Sequence, residues 1–187
     1  MQKIRTFIAV ETPISKEIKQ VINELKKTQI DAKLVEPENM HLTLKFLGDT
    51  DEDLIGDIEK TIKDSAKNIQ SFQITLKNIG VFPNQNYIKV AWIGVENTET
   101  LKQIAETIDK KLQNLGFEKE KRPFSAHLTI ARVKSARNKE KLIQLINKYQ
   151  NTEFQKIQID KIIIKKSALT QKGPIYTNLK EITLGEE

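Results

Sequence analysis

The chain has no cysteine. Disulfides, thiolate metal sites and cysteine nucleophiles are therefore excluded, and the redox compartment is left open. Glycine is scarce, at 7 residues, and none falls in a dinucleotide-binding or P-loop pattern, so neither phosphate cradle is available. The absence of a Gly-x-Ser-x-Gly elbow argues against a Ser-His-Asp hydrolase. No apolar run approaches a membrane span: Ile162 to Ile164 is bracketed by lysines, and Phe7 to Val10 is far too short for a signal peptide. A cytoplasmic location is the expectation. Histidine is also rare, with two in 187 residues.

What is present describes a soluble globular chain. Hydrophobic residues make up 38% and charged residues 30%, which is not a disordered composition. The length suits one domain, residues 1–187, built of two halves. A net charge of +6 and a pI near 9.3 fit a polyanionic partner. A lysine-rich solvated surface would give the same balance.

Both histidines head the same tetrapeptide: His41-Leu42-Thr43-Leu44 and His127-Leu128-Thr129-Ile130. A strand puts residues i and i+2 on one face. Each copy thus presents an imidazole beside a threonine hydroxyl and turns two apolar residues to a core. Two such strands brought together give a site with two imidazoles and two hydroxyls. One imidazole serves as base and the other as acid, as phosphoryl transfer requires. The hydroxyls are suited to hold non-bridging phosphate oxygens. A two-histidine metal site is the competing chemistry, but it needs a carboxylate or water as third ligand and sets a poor zinc ligand, threonine, at i+2. No metal or cofactor is required by the acid–base scheme.

Strands are expected over 6–10, 33–35, 40–47, 72–81, 87–95, 124–133, 154–169 and 175–184, with Gly48 ending the third and a turn at 171–174. Helices are expected over 13–28, from Thr12 as N-cap and Pro13, over 99–115, closed by Gly116, and after Asn138 as cap. The acidic cluster Asp49 to Asp53 reads as the N-terminus of a further helix rather than a metal site. This is an α+β order with a weak internal duplication, in which a pseudo-two-fold would set the two motifs face to face.

Several further segments surround the motifs: Thr6-Phe7-Ile8-Ala9-Val10, then Lys45-Phe46-Leu47-Gly48 after the first motif, Phe82-Pro83-Asn84, Val90-Ala91-Trp92-Ile93-Gly94-Val95, and Ala131-Arg132 after the second. Together they resemble the 2H phosphoesterase superfamily, and within it the RNA 2',3'-cyclic phosphodiesterase branch, also known as 2'-5' RNA ligases. The resemblance spans nearly the whole chain. It implies two lobes, each an antiparallel sheet with helices outside, facing a central cleft. It also implies metal-independent hydrolysis of a terminal 2',3'-cyclic phosphate to a 2'-phosphate, with 2'-5' ligation as the reverse reaction. By that analogy His41 is the proton donor, His127 the proton acceptor, and Thr43, Thr129 and Arg132 bind the phosphate. Strict alternation puts Arg132 on the face opposite His127, so a bulge or the strand's end must bring it round. Phe7 and Phe46 are assigned to the core. The implied partner is RNA with cyclic-phosphate ends, tRNA fragments among them, acted on by a monomer. The alternatives are a relative acting on 2'-5' oligonucleotides or small cyclic nucleotides, and a non-catalytic RNA-binding protein.

Overall fold

The computed structural model describes residues 2–171 and 173–185. Four helices and nine strands follow one another as β1 (Lys3–Glu11), α1 (Lys16–Lys27), β2 (Ala32–Leu34), β3 (His41–Asp51), α2 (Ile55–Ala66), β4 (Phe72–Asn84), β5 (Tyr87–Glu96), α3 (Glu99–Leu112), β6 (His127–Val133), α4 (Lys139–Lys148), β7 (Glu153–Ile159), β8 (Lys161–Thr170) and β9 (Gly173–Thr183). Three short 3-10 turns supplement them. Every strand pairing is antiparallel, in a four-stranded sheet β3-β1-β8-β9 and a five-stranded sheet β2-β6-β5-β4-β7. The expected α+β class and the two sheets facing a cleft are present.

Neither sheet is a contiguous half of the chain. The sheet carrying the first motif is completed by β8 and β9, the last strands. The helices cross as well. α1 packs on α4 and β7, and α4 packs on β4, so this pair covers the five-stranded sheet. α2 and α3 pack together, with β9 and β3 respectively, over the other. One connected apolar cluster includes residues of all four helices and both sheets. The sheets meet where β3 touches β6, the two motif strands.

Several expectations need correction. The first helix starts at Lys16, with Ser15 as N-cap accepting from the Ile18 amide at 3.3 Å, not at Thr12-Pro13. β1 runs on to Glu11, so Thr12 and Pro13 fall in the connection. Asn138 does stand at the N-cap position of α4, but at a left-handed φ of 57°, and its side-chain amide goes to the Gln29 carbonyl rather than making a cap hydrogen bond with the helix. The acidic cluster is split: Asp49 to Asp51 end β3, Glu52 and Asp53 lie in a 3-10 turn, and α2 begins after Leu54. The expected strand 154–169 is two strands in different sheets. β7 pairs with β4, the chain turns at Asp160, and β8 pairs with β1. The Asp160 carbonyl is held there by the Leu184 amide at 2.7 Å. The loop between β4 and β5 is only Gln85-Asn86. The turn expected at 171–174 includes Lys172, which lies outside the described residues.

Gly48 does not end β3 either. The strand continues to Asp51 through a bulge, with Phe46 opposite Phe7 and Gly48 opposite Thr6, leaving Leu47 unmatched. Gly48 sits at φ 71°, a conformation that costs a side-chain-bearing residue more than glycine.

Lys45, within the same strand, is 2% exposed and faces away from the cleft. Its ammonium meets Asp109 of α3 at 2.6 Å and the Glu118 carbonyl at 2.8 Å. Removing one partner leaves the other's charge poorly compensated, a loss of about 3 kcal/mol. Lys45→Ala is thus expected to lower the urea midpoint strongly at unchanged m-value. A shift equivalent to under about 1 kcal/mol, as for an exposed ion pair, would show that this pair is not a structural anchor.

Candidate functional site

The two motif strands share an unusual detail. In the β1–β3 pairing Ala9 faces Thr43 and Ile8 faces Lys45, so Leu44 is an extra residue. In the β5–β6 pairing Trp92 faces Thr129 and Ala91 faces Ala131, so Ile130 is extra. The bulge falls at the fourth position of both tetrapeptides. It shifts the phase by one, and burial follows identically in both strands. His41 and Thr43 are half-buried, Leu42, Leu44 and Lys45 buried, and Phe46 exposed. His127 and Thr129 are half-buried, Leu128, Ile130 and Ala131 buried, and Arg132 exposed. The bulge therefore returns Arg132 to the face of His127 and Thr129, which strict alternation would not do.

Each imidazole is fixed in the same way. His41 Nδ1 donates to the Asn39 carbonyl at 2.8 Å, and His127 Nδ1 donates to the Ser125 carbonyl at 2.8 Å. In both rings this leaves Nε2 as the nitrogen available for proton transfer.

Their surroundings differ. The His41 ring lies 4.8 Å from Phe7 and 5.2 Å from Tyr176, which approaches edge-on. Burial pulls its pKa down to about 4; the Lys165 and Arg132 charges push the same way, while the bond to Asn39 and the Glu11 charge oppose them. Arg132, on the facing sheet, therefore acts directly on His41. His127 has Phe82 edge-on at 5.1 Å. Behind it the Trp92 ring packs on Phe82 at 5.0 Å, tilted by 35°, and covers Gly80, where a Cβ would overlap the indole. The Tyr176 hydroxyl is pushed up by burial and stays protonated near neutral pH.

His41 and Thr43 thus share a face of β3, and His127, Thr129 and Arg132 a face of β6; the two strands touch where the sheets meet, and the Arg132 charge acts on His41. Of the two phenylalanines expected in the core, Phe7 is there and Phe46 is not. Phe7 is buried, against His41, but Phe46 is 62% exposed and occupies on β3 the place Arg132 holds on β6. Phe82, Trp92 and Tyr176 also line the site, though none lies in a histidine motif. Phe82 and Trp92 stand in quoted segments, whereas Tyr176 had no signal beyond its place in the last strand. Among the described residues no group of three or more His, Asp or Glu is placed to hold a metal ion. No helix there is long and apolar enough to cross a membrane.

Comparison with known proteins gives a consistent set of relatives. A family model described as the 2'-5' RNA ligase superfamily matches residues 11–164. A protein of Methanocaldococcus jannaschii named RNA 2',3'-cyclic phosphodiesterase is 46% identical over 180 residues, covering 95% of this chain and 99% of the relative. One of the same name from Methanothermobacter thermautotrophicus is 39% identical over 184 residues, covering 97% and 100%. Among solved structures, TT0787 of Thermus thermophilus superposes with a TM-score of 0.76 at 25% identity, covering 97% of this chain and 98% of that one. Apo LigT of E. coli does so with a TM-score of 0.72 at 19% identity, over the full length of both, a likeness of fold.

Proposed function

The chain belongs to the 2'-5' RNA ligase superfamily, and on that basis we propose that it is an RNA 2',3'-cyclic phosphodiesterase. It opens a terminal cyclic phosphate with water to leave a 2'-phosphate. His127 Nε2 takes a proton from the water while His41 Nε2 protonates the departing 3' oxygen. Thr43, Thr129 and Arg132 hold the non-bridging oxygens, where charge gathers in the transition state. The exposed Phe46 ring offers a flat face to the terminal base. The observation that carries this reading is the matched pair of imidazoles, each locked through Nδ1 and presenting Nε2, on two strands whose bulges coincide.

The bond-breaking step is reversible: a 5'-hydroxyl in place of water gives a 2'-5' linkage. Water is abundant, so hydrolysis dominates unless a paired strand holds the second end. The chain acts as a cytoplasmic monomer on RNA ends such as tRNA fragments. Comparing kcat/KM on a cyclic-phosphate RNA, a 2'-5' oligonucleotide and a small cyclic nucleotide tests the substrate class. The RNA end should be preferred, and a preference for either of the others would reassign it.

A pH dependence follows from His41. In the free protein it is neutral at pH 7, and it takes up a proton only as pH falls toward about 4. A bound phosphate anion offsets the Lys165 and Arg132 charges and raises its proton affinity. The kcat/KM profile reports the free enzyme and kcat the complex. The His41 limb is therefore expected near pH 4 in kcat/KM and at higher pH in kcat. Limbs that coincide in the two profiles would contradict the coupling of phosphate binding to protonation.

A further inference from the structure

Beside His41 lies a buried cation that takes no part in the proton transfers themselves. Lys165 is on β8, opposite Phe7, the residue whose ring packs on His41. Its side chain is 8% exposed. The ammonium donates to Glu11 Oε1 at 2.7 Å and to Asn178 Oδ1 at 2.6 Å. Glu11 is the register partner of His41 on β1. Asn178 donates in turn to Glu11 at 3.3 Å and Glu181 at 2.8 Å, and Lys161 closes the row on Glu181 at 2.9 Å. This polar row crosses β1, β8 and β9 and has one end at His41. Methionine would fill the space of Lys165 with no ion to desolvate, so stability alone does not explain a buried lysine here.

We propose that Lys165 is a positioning residue of the site, a fixed cation clamped by Glu11 and Asn178 that sets the proton affinity of His41 from its own sheet while Arg132 acts from the facing one. It does not touch the phosphate. Its charge lowers the proton affinity of the His41 imidazole, as that of Arg132 does, and so makes the imidazolium a stronger acid toward the leaving oxygen. This rests on the reading that His41 exchanges a proton during the reaction.

The groups acting on His41 are Lys165 from β8, Arg132 from β6 and Glu11 from β1. The protonated Tyr176 hydroxyl comes from β9, with Arg5 and Arg132 acting on it. The Glu11 carboxyl is held below its ordinary range, chiefly by the Lys165 bond. The signs of two substitutions therefore oppose each other. Lys165→Met deletes a cation and frees the Glu11 carboxylate, so both changes raise His41. Glu11→Gln deletes the anion and lowers it.

The test is an NMR titration of the His41 imidazole in the full-length protein without substrate, with pH–rate profiles alongside. Lys165→Met should raise the His41 pKa by roughly one unit and move the corresponding kcat/KM limb with it. Lys165→Arg should restore both. Glu11→Gln, at a half-exposed residue, should shift His41 downward even if Lys165→Met does not fold. An unmoved His41 in folded Lys165→Met, or an upward shift in Glu11→Gln, overturns the proposal. The titration needs no substrate, so it stands apart from a failure of the phosphodiesterase reading, which inactivity on every cyclic-phosphate end would reveal.

Discussion

His41→Ala and His127→Ala are each expected to lower kcat on a cyclic-phosphate RNA by about 10²–10⁴-fold. In the proposed mechanism each removes one end of a proton relay whose other end is left intact. Both rings reach the site only through Nε2, because each Nδ1 is committed to a backbone carbonyl two residues upstream. The water cannot be activated by the leaving-group acid, nor the leaving group protonated by the base. The two losses should not add: the double variant should be little worse than the weaker single one, since the groups work as a unit. Single-turnover assays on variants with native circular dichroism check this. Near-full activity in either single variant would refute the two-histidine scheme.

Arg132→Ala should cost about 10²-fold in kcat/KM, the scale of losing one donor to a developing oxyanion. Arg132→Lys should recover only part of it, since an ammonium lacks the planar fork that meets two phosphate oxygens at once. The bulge at Ile130 turns Arg132 to the cleft, where its charge is felt at His41. Arg132→Ala should also weaken inhibition by inorganic phosphate, as Lys165→Met should not. Wild-type kcat/KM in Arg132→Ala would mean that the guanidinium is aimed at solvent.

The half-sites were legible because a period of two needs only local sequence. An imidazole and a hydroxyl at i and i+2 share a face whatever the strand pairs with. The bulges are less visible. Ile130-Ala131 is an apolar doublet that signals a slip of phase, but its counterpart Leu44-Lys45 hides the same slip, since Lys45 is buried only through its pairing with Asp109 on a helix far along the chain. The switch of sheet at Asp160 left no mark, because the backbone stays extended on both sides and isoleucines continue through it. Lys165 reads as one more surface lysine until Glu11 and Asn178 are seen beside it. Phe46 fits an apolar pattern yet stands in solvent, because the bulge at Leu44 turns it to the cleft rather than the core.

In the proposed reaction two imidazoles deliver water to the phosphorus of a cyclic phosphate and expel the 3' oxygen. Phosphorus NMR of a 2',3'-cyclic-phosphate oligonucleotide, turned over in ¹⁸O-labelled water with EDTA present, tests it most directly. The expected result is a 2'-phosphomonoester as sole product, carrying one labelled oxygen, formed at the rate seen without chelator. A 3'-phosphate, an unlabelled product or loss of activity with EDTA would contradict it.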